Sequence, residues 1–442
     1  MSVEMTPHSD TDSSDYAPSP RVAVLPFVNS SDDPDQDYFC DGVAVEILLS
    51  LTRAPGLNVI ARSSVFALRG EQLSALDAGR RLSATAVLTG QVQRSDGRVR
   101  MDVELIRVST GRRLWSGVFD RDVLDVFIIQ DEVAGAVVEA LGVPGPGRTI
   151  QGGQTGNVNA YDYYVRGREL YYEYSRTSVE SAARCFEDAI GLDGTYTLAY
   201  CGLADCFSYL YMYVDSSEEF LDRAMRASTM ALEFNSQLAE AWASRGLAVS
   251  LARQYEESEL AFEKAIELDP QLFEARFLYA RVCFAQGKKD MAARLFEEAN
   301  RIRPEDFQSL LLAAQSIDEL GQKMRAAELR IRGIAAAEQR LGLDPTATRA
   351  LYLGANGLVA LGEVDRGLVW LERALTIEPD EPMLLYNAGC IFALAGNKTR
   401  CLDCLEKAEA AGLRQRGWYE NDSNLDSVRD DPRFSALLKK LI

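Results

Sequence analysis

The only histidine among 442 residues is His8, set in a Ser/Asp/Pro-rich opening stretch with little to bury. A His-centred catalytic triad or a His-ligated metal would need an imidazole inside a foldable segment, so both are excluded. Cys401-x-x-Cys404 has the spacing of a redox or zinc pair, but no second pair stands at ligand spacing. Its repeat register instead places Cys401 where a small residue packs between helices, and Cys40, Cys185, Cys201, Cys206, Cys283 and Cys390 follow no metal pattern. Asp32-Asp33-Pro34-Asp35-Gln36-Asp37 invites a calcium reading. An EF-hand loop counted from Asp33 would need Gly and Glu where Tyr38 and Ala44 stand, so a solvated turn before a helix is the better reading. The glycines from Gly142 to Gly153 lack a Walker lysine, and Glu256-Glu257 and Glu297-Glu298 are solvated helix faces. One run keeps a chemical alternative: Arg62-Ser63-Ser64 at a strand end, a common place for ligand contacts in α/β sheets. The plainer reading there is a turn and helix start satisfied by its serines. The residues predict no cofactor and no metal.

The surrounding elements divide the chain. Residues 1–20 form a leader expected to be disordered. From Arg21 to Leu141 the pattern is α/β. Val22 to Val28 is an apolar strand, a helix starts near Asp41-Gly42, and Leu57 to Ala61 is a second strand. A helix over Leu73 to Leu82 precedes Ala86 to Val92, and the turn Asp96-Gly97 leads into Val99 to Val108. In that last run Val99, Met101, Val103 and Leu105 alternate with Arg100, Asp102 and Glu104, the mark of a strand wet on one face. Leu114 to Phe119 and a helix over Asp125 to Leu141 complete an order β-α-β-α-β-β-β-α, which predicts a mixed sheet with flanking helices. Residues 142–159 are rich in Gly, Pro and Thr and read as a linker.

Residues 160–442 repeat themselves. Ala231, Ala265 and Ala299 are 34 residues apart, as are Pro270 and Pro304, Pro345 and Pro379, and Ala374 and Ala408. Gly246 and Ala280 allow two helices to approach, Phe262 and Phe296 fill the seam, and each proline stops a helix. The spacing stretches from Ala189 to Ala231 and from Pro304 to Pro345, which predicts longer turns or helices there. This is the tetratricopeptide-repeat pattern, so the predicted fold class is an α/β module followed by an all-α superhelical solenoid.

Residues 21–141 resemble the TolB-like (FlgO-like) amino-terminal domain of bacterial proteins. The phrases that carry the likeness are Val24-Leu25-Pro26-Phe27, Tyr38-Phe39-Cys40-Asp41-Gly42, Ile60-Ala61-Arg62-Ser63-Ser64, Leu88-Thr89-Gly90-Gln91-Val92 and Gly111 to Trp115. The ending, Gly417-Trp418-Tyr419-Glu420-Asn421-Asp422 through Phe434, is similar to the closing segment of the repeat arrays that follow such domains. The resemblance implies an association with adenylate-cyclase or winged-helix systems. With about 20 residues ahead of the first strand, no cyclase core is expected, and no enzyme activity.

A formal charge of −19 repels a phosphate backbone, and no Lys/Arg cluster offsets it, so nucleic acid is not an expected partner. No run is long enough to span a bilayer and no signal peptide is visible, which predicts a cytoplasmic chain with reduced cysteines. The expected partner is another protein or peptide held in the concave groove; the oligomeric state is left open. Projecting the repeat register places Glu240, Glu274, Phe277, Arg281, Arg349, Tyr352, Asn356 and Tyr386 on that surface, with Trp242, Phe262 and Phe296 in the core. The alternatives are a small-ligand or nucleotide sensor through Arg62, Ser63 and Ser64, and a part in a cyclase-type signalling system.

Overall fold

The computed structural model describes residues 20–441 apart from 32, 34, 35, 53, 55, 61, 70, 72, 96, 144–154, 173 and 174. His8, nearly all of the leader, most of the 142–159 segment and much of the Asp32–Asp37 loop lie outside the described residues.

The amino-terminal module runs β1 (Arg21–Val24), β2 (Val28–Asn29), α1 (Asp37–Thr52), β3 (Asn58–Val59), α2 (Arg62–Phe66), α3 (Ala75–Arg81), β4 (Ala86–Ser95), β5 (Arg98–Arg107), β6 (Arg113–Asp122) and α4 (Val126–Leu141). The first apolar run is two strands rather than one. Pro26 has no N–H for the ladder, and the chain resumes pairing only at Val28, opposite Gln91. The sheet order is β3-β1-β4-β5-β6, with β2 beside β4. β1 is parallel to both neighbours, and β4, β5 and β6 are antiparallel. Val99, Met101, Val103 and Leu105 of β5 all face the core. There they meet Ile47 and Leu51 of α1 and Ile129, Val133 and Val137 of α4. The opposite face carries Val87 and Val108 under Val65 and Ala78 of the short helices α2 and α3.

Seven helical hairpins follow. First helices are α5 (Val158–Tyr171), α7 (Thr197–Tyr213), α9 (Ala239–Leu251), α11 (Phe273–Ala285), α13 (Phe307–Glu319), α15 (Thr348–Ala360) and α17 (Pro382–Leu394). Second helices are α6 (Arg176–Leu192), α8 (Glu218–Phe234), α10 (Tyr255–Leu268), α12 (Lys289–Ile302), α14 (Lys323–Leu343), α16 (Val364–Ile377) and α18 (Lys398–Ala410). α10, α12, α14 and α16 each stop two residues before Pro270, Pro304, Pro345 and Pro379, because the residue ahead of a proline avoids helical backbone. Phe262 and Phe296 are fully buried, and a Cβ on Gly246 would lie 3.0 Å from the Phe262 ring. The stretched spacings are absorbed as helix: α14 has 21 residues where α12 has 14, about two extra turns, and α7 and α8 have 17 each.

Module and array are in contact along α5 and at the end of α14. α1 lies on α5, where a Cβ on Gly42 would collide with Val165, and Phe39 and Phe127 meet Tyr161 edge-on at 6.2 and 4.6 Å. On the other face of the sheet, Leu343 at the end of the long helix α14 packs against the cluster of Val87 and Val108, and Arg81 donates to the Gly342 carbonyl at 3.4 Å.

Candidate functional site

First helices pack on one another in two runs, α5 on α7, α7 on α9 and α9 on α11, then α13 on α15 and α15 on α17, and α12 packs on both α11 and α13 to join the runs. All eight residues expected on the inner surface sit on first helices, but they divide into two groups. Toward the amino-terminal end, Glu240 and Glu274 occupy the same position in α9 and α11. Burial pushes the Glu274 carboxyl up, but Arg303 at 2.8 Å outweighs it and holds the group below its usual range. Phe277 is a seam residue, stacked on Phe273 at 5.3 Å and edge-on to Phe296 at 5.8 Å.

Arg281, Arg349, Tyr352, Asn356 and Tyr386 converge on a small cavity of about 80 Å³. α13 supplies a further side, and Trp418, Asp422 and Asn424 close the cavity from the chain's own carboxy-terminal segment, which continues through α19 (Arg416–Asn421), a 3₁₀ turn over Ser423–Val428 and α20 (Pro432–Leu438). Trp418 of α19 lies under the Arg281 guanidinium at 5.2 Å and beside the rings of Tyr213 and Tyr386 at 6.0 and 6.1 Å. Arg281 also donates to the Tyr213 hydroxyl. Asp422 is the anchor. Its carboxylate accepts from Gln315 Nε2 at 2.7 Å, Tyr386 Oη at 2.9 Å and Cys390 Sγ at 3.4 Å, and it caps the following turn at the Asn424 amide. Burial nevertheless raises its pKa, because desolvation exceeds what these donors return. A Cβ on Gly417 would lie 2.7 Å from the Ala285 carbonyl, so only glycine lets this segment approach the array backbone so closely. Tyr386, in contact with this segment, is 4% exposed, and Tyr352 on the same cavity is 5% exposed.

Sequence reasoning missed Gln315 and Asp422. The available signal was a Gly-Trp-Tyr phrase followed by an Asp one helical turn after the Trp, in a segment with no repeat periodicity of its own. Beside α19, the segment and the helices α7, α9 and α11 enclose a larger crevice of about 450 Å³.

Arg62, Ser63 and Ser64 form the start of α2 rather than an open strand end. Arg62 is held between the rings of Phe66 and Tyr172, 4.5 and 4.8 Å from their centroids, so it joins module to array. Burial lowers its pKa, and its Nε has no hydrogen-bond partner. Ser64 is half-buried, and the Ser63 side chain lies outside the described residues. Close by, Asp41 is 3% exposed. Burial pushes its carboxyl up to about 7 despite the Arg69 ion pair at 2.7 Å, because Arg69 is itself 45% exposed and its field is screened. Cys401 is fully buried, with its thiol pushed up to about 12. Among the described residues no cluster of three or more His, Cys, Asp or Glu could hold a metal, and no helix is long and apolar enough to cross a membrane.

The family model "Anaphase-promoting complex, cyclosome, subunit 3" matches residues 252–330. The chain is 32% identical over 247 residues to "Putative adenylate cyclase 3" of Rhizobium meliloti (strain 1021), a match covering 55% of this chain and 42% of that protein. It is 24% identical over 204 residues to anaphase-promoting complex subunit 3 of Schizosaccharomyces pombe, covering 46% and 28% respectively. The chain thus spans less than half the length of these relatives. Among solved structures, "YrrB: a TPR protein with an unusual peptide-binding site" aligns with a TM-score of 0.29 and 21% identity, over 49% of this chain and 98% of that one. Human IFIT1 aligns with a TM-score of 0.46 and 12% identity, over 71% and 76%. The long run of helices behind the mixed sheet is a tetratricopeptide-type repeat solenoid.

Proposed function

We propose that this chain is a non-catalytic interaction scaffold whose inner repeat surface receives a partner polypeptide. The observation that carries this reading is the convergence of Arg281, Arg349, Tyr352, Asn356 and Tyr386 on one cavity, where Arg281 and Tyr386 already hold a polypeptide segment that contains Trp418 and Asp422. A surface that holds its own chain by ring stacking and charge-assisted hydrogen bonds has the chemistry to hold another. Glu240, Glu274 and Phe277 extend it toward the amino-terminal end.

We further infer that residues 21–141 are of the TolB-like (FlgO-like) class and that the protein acts in the bacterial cytoplasm. The match to the Rhizobium meliloti protein supports a place in an adenylate-cyclase-type signalling system, as a regulatory rather than a catalytic component. The ligand-sensor alternative through Arg62 is less well supported, because Phe66 and Tyr172 already occupy both faces of its guanidinium. The test is affinity capture from the native lysate with the full chain and with Phe277→Ala and Asn356→Ala variants. Proteins retained by the wild type and lost by folded variants support the scaffold reading. An identical set on all three baits refutes binding through this surface.

A further inference from the structure

The turn between first and second helix has the same construction in five repeats. The residue after the first helix's cap adopts a left-handed backbone, and in four repeats it is glycine: Gly287, Gly321, Gly362 and Gly396, with φ between 73° and 89°. In the repeat of α9 and α10 it is Arg253, with φ 60°. The position lies 34 residues before Gly287, so this is a substitution within the repeat grammar and not a different turn. A side chain is disfavoured there. Strain of this kind is kept where the side chain is needed.

Arg253 lines the 450 Å³ crevice between α7, α9, α11 and α19, a volume suited to a small organic molecule. Arg281 lines it too, and among the described residues neither arginine forms an ion pair. The carboxylate on the lining, Glu420, is held by Arg416 at 2.7 Å on its own helix. Gln286 adds a buried Nε2 with no hydrogen-bond partner. The rings of Tyr211, Tyr255 and Trp418 supply flat apolar walls. Two arginines with no carboxylate partner, the unpartnered Gln286 amide and the aromatic walls together form a locally cationic site in a chain of net charge −19.

We propose that this crevice binds a small aromatic anion, its planar body against the rings and its carboxylate or phosphate on Arg253 and Arg281. The inference is independent of the partner reading, since it is measured without a partner. Calorimetric titration of the full chain would use adenosine 5′-monophosphate and indole-3-acetate, which separate a phosphate source from a carboxylate source, with uncharged adenosine as control. Saturable one-to-one binding of either anion, weakened about tenfold or more by Arg253→Gly, supports the site. Because glycine is the residue the other turns use, that variant keeps the fold and melts at a higher temperature. No saturable binding of either anion at millimolar concentration, binding unchanged in Arg253→Gly, or equal binding of adenosine would overturn it.

Discussion

Replacing Asp422 by alanine should release the carboxy-terminal segment from the inner surface while leaving the array folded. The carboxylate is 4% exposed and takes hydrogen bonds from Gln315, Tyr386, Cys390 and the Asn424 amide. Alanine leaves the Gln315 side-chain amide and the Asn424 backbone amide, 9% and 8% exposed by residue, without their acceptor, and the Tyr386 hydroxyl with only the Trp418 carbonyl at 3.2 Å. Each unpaired buried donor costs about 1–3 kcal/mol, so opening of the segment becomes easier by about 2–5 kcal/mol. Hydrogen exchange read by mass spectrometry would show amides of residues 413–441 exchanging roughly thirtyfold faster or more. Amides of the sheet, residues 86–122, should keep their protection. Asparagine retains an oxygen acceptor, and since burial already raises the Asp422 pKa, Asp422→Asn should lose less than alanine. Unchanged protection of 413–441 in Asp422→Ala, or equal acceleration across the sheet, would refute the anchoring role.

Asp41 gives a pH dependence. Its folded pKa of about 7 lies above the ordinary 3.8, so its contribution is full below pH 4 and is lost as pH rises through 7. Thermal melts should be higher at pH 5 than at pH 8, with a differential of at most about 3 kcal/mol, and Asp41→Asn should flatten the slope. Gly202→Ala would place a Cβ 2.5–2.7 Å from three atoms of the buried Phe186 ring and should destabilise by about 1–3 kcal/mol in denaturant titration. Gly342→Ala on α14 meets nothing within 4 Å and should stabilise by up to about 1 kcal/mol in the same assay. Arg253→Gly should raise the melting temperature, worth about 1 kcal/mol, by relieving the left-handed backbone.

The parts legible in sequence are those fixed by local periodicity. Val99, Met101, Val103 and Leu105 alternate because one sheet face is buried, and that alternation is visible without a structure. The 34-residue spacing of Ala265 and Ala299 marks the hairpins, and the wider gap before Pro345 signals the extra length of α14. The break at Pro26 was written in the sequence too, but a short apolar run conceals it. The fold-back of Trp418 and Asp422 is of another kind. It depends on the accumulated curvature of seven hairpins, which brings Gln315 and Tyr386 to a segment 107 and 36 residues away, and no local pattern encodes that distance. The repeat register identifies first helices and so places the eight candidate residues on them; it is silent on what covers them, because the carboxy-terminal segment lies outside the register.

An array of repeats ordinarily has only nearest neighbours, so its ends are mechanically independent and it can stretch like a spring. The long α14 changes that topology. Its last residue, Leu343, rests on the sheet whose other face is joined to the array through α1 and α5, so the hairpins from α5 to α14 form an arc closed by the module. A closed arc cannot change its pitch without breaking one of its two seams. The α/β module thus acts as a clasp that fixes the curvature of the first five hairpins, and the folded-back tail, tied to Arg281, Gln315 and Tyr386, pins the last hairpins to that same arc.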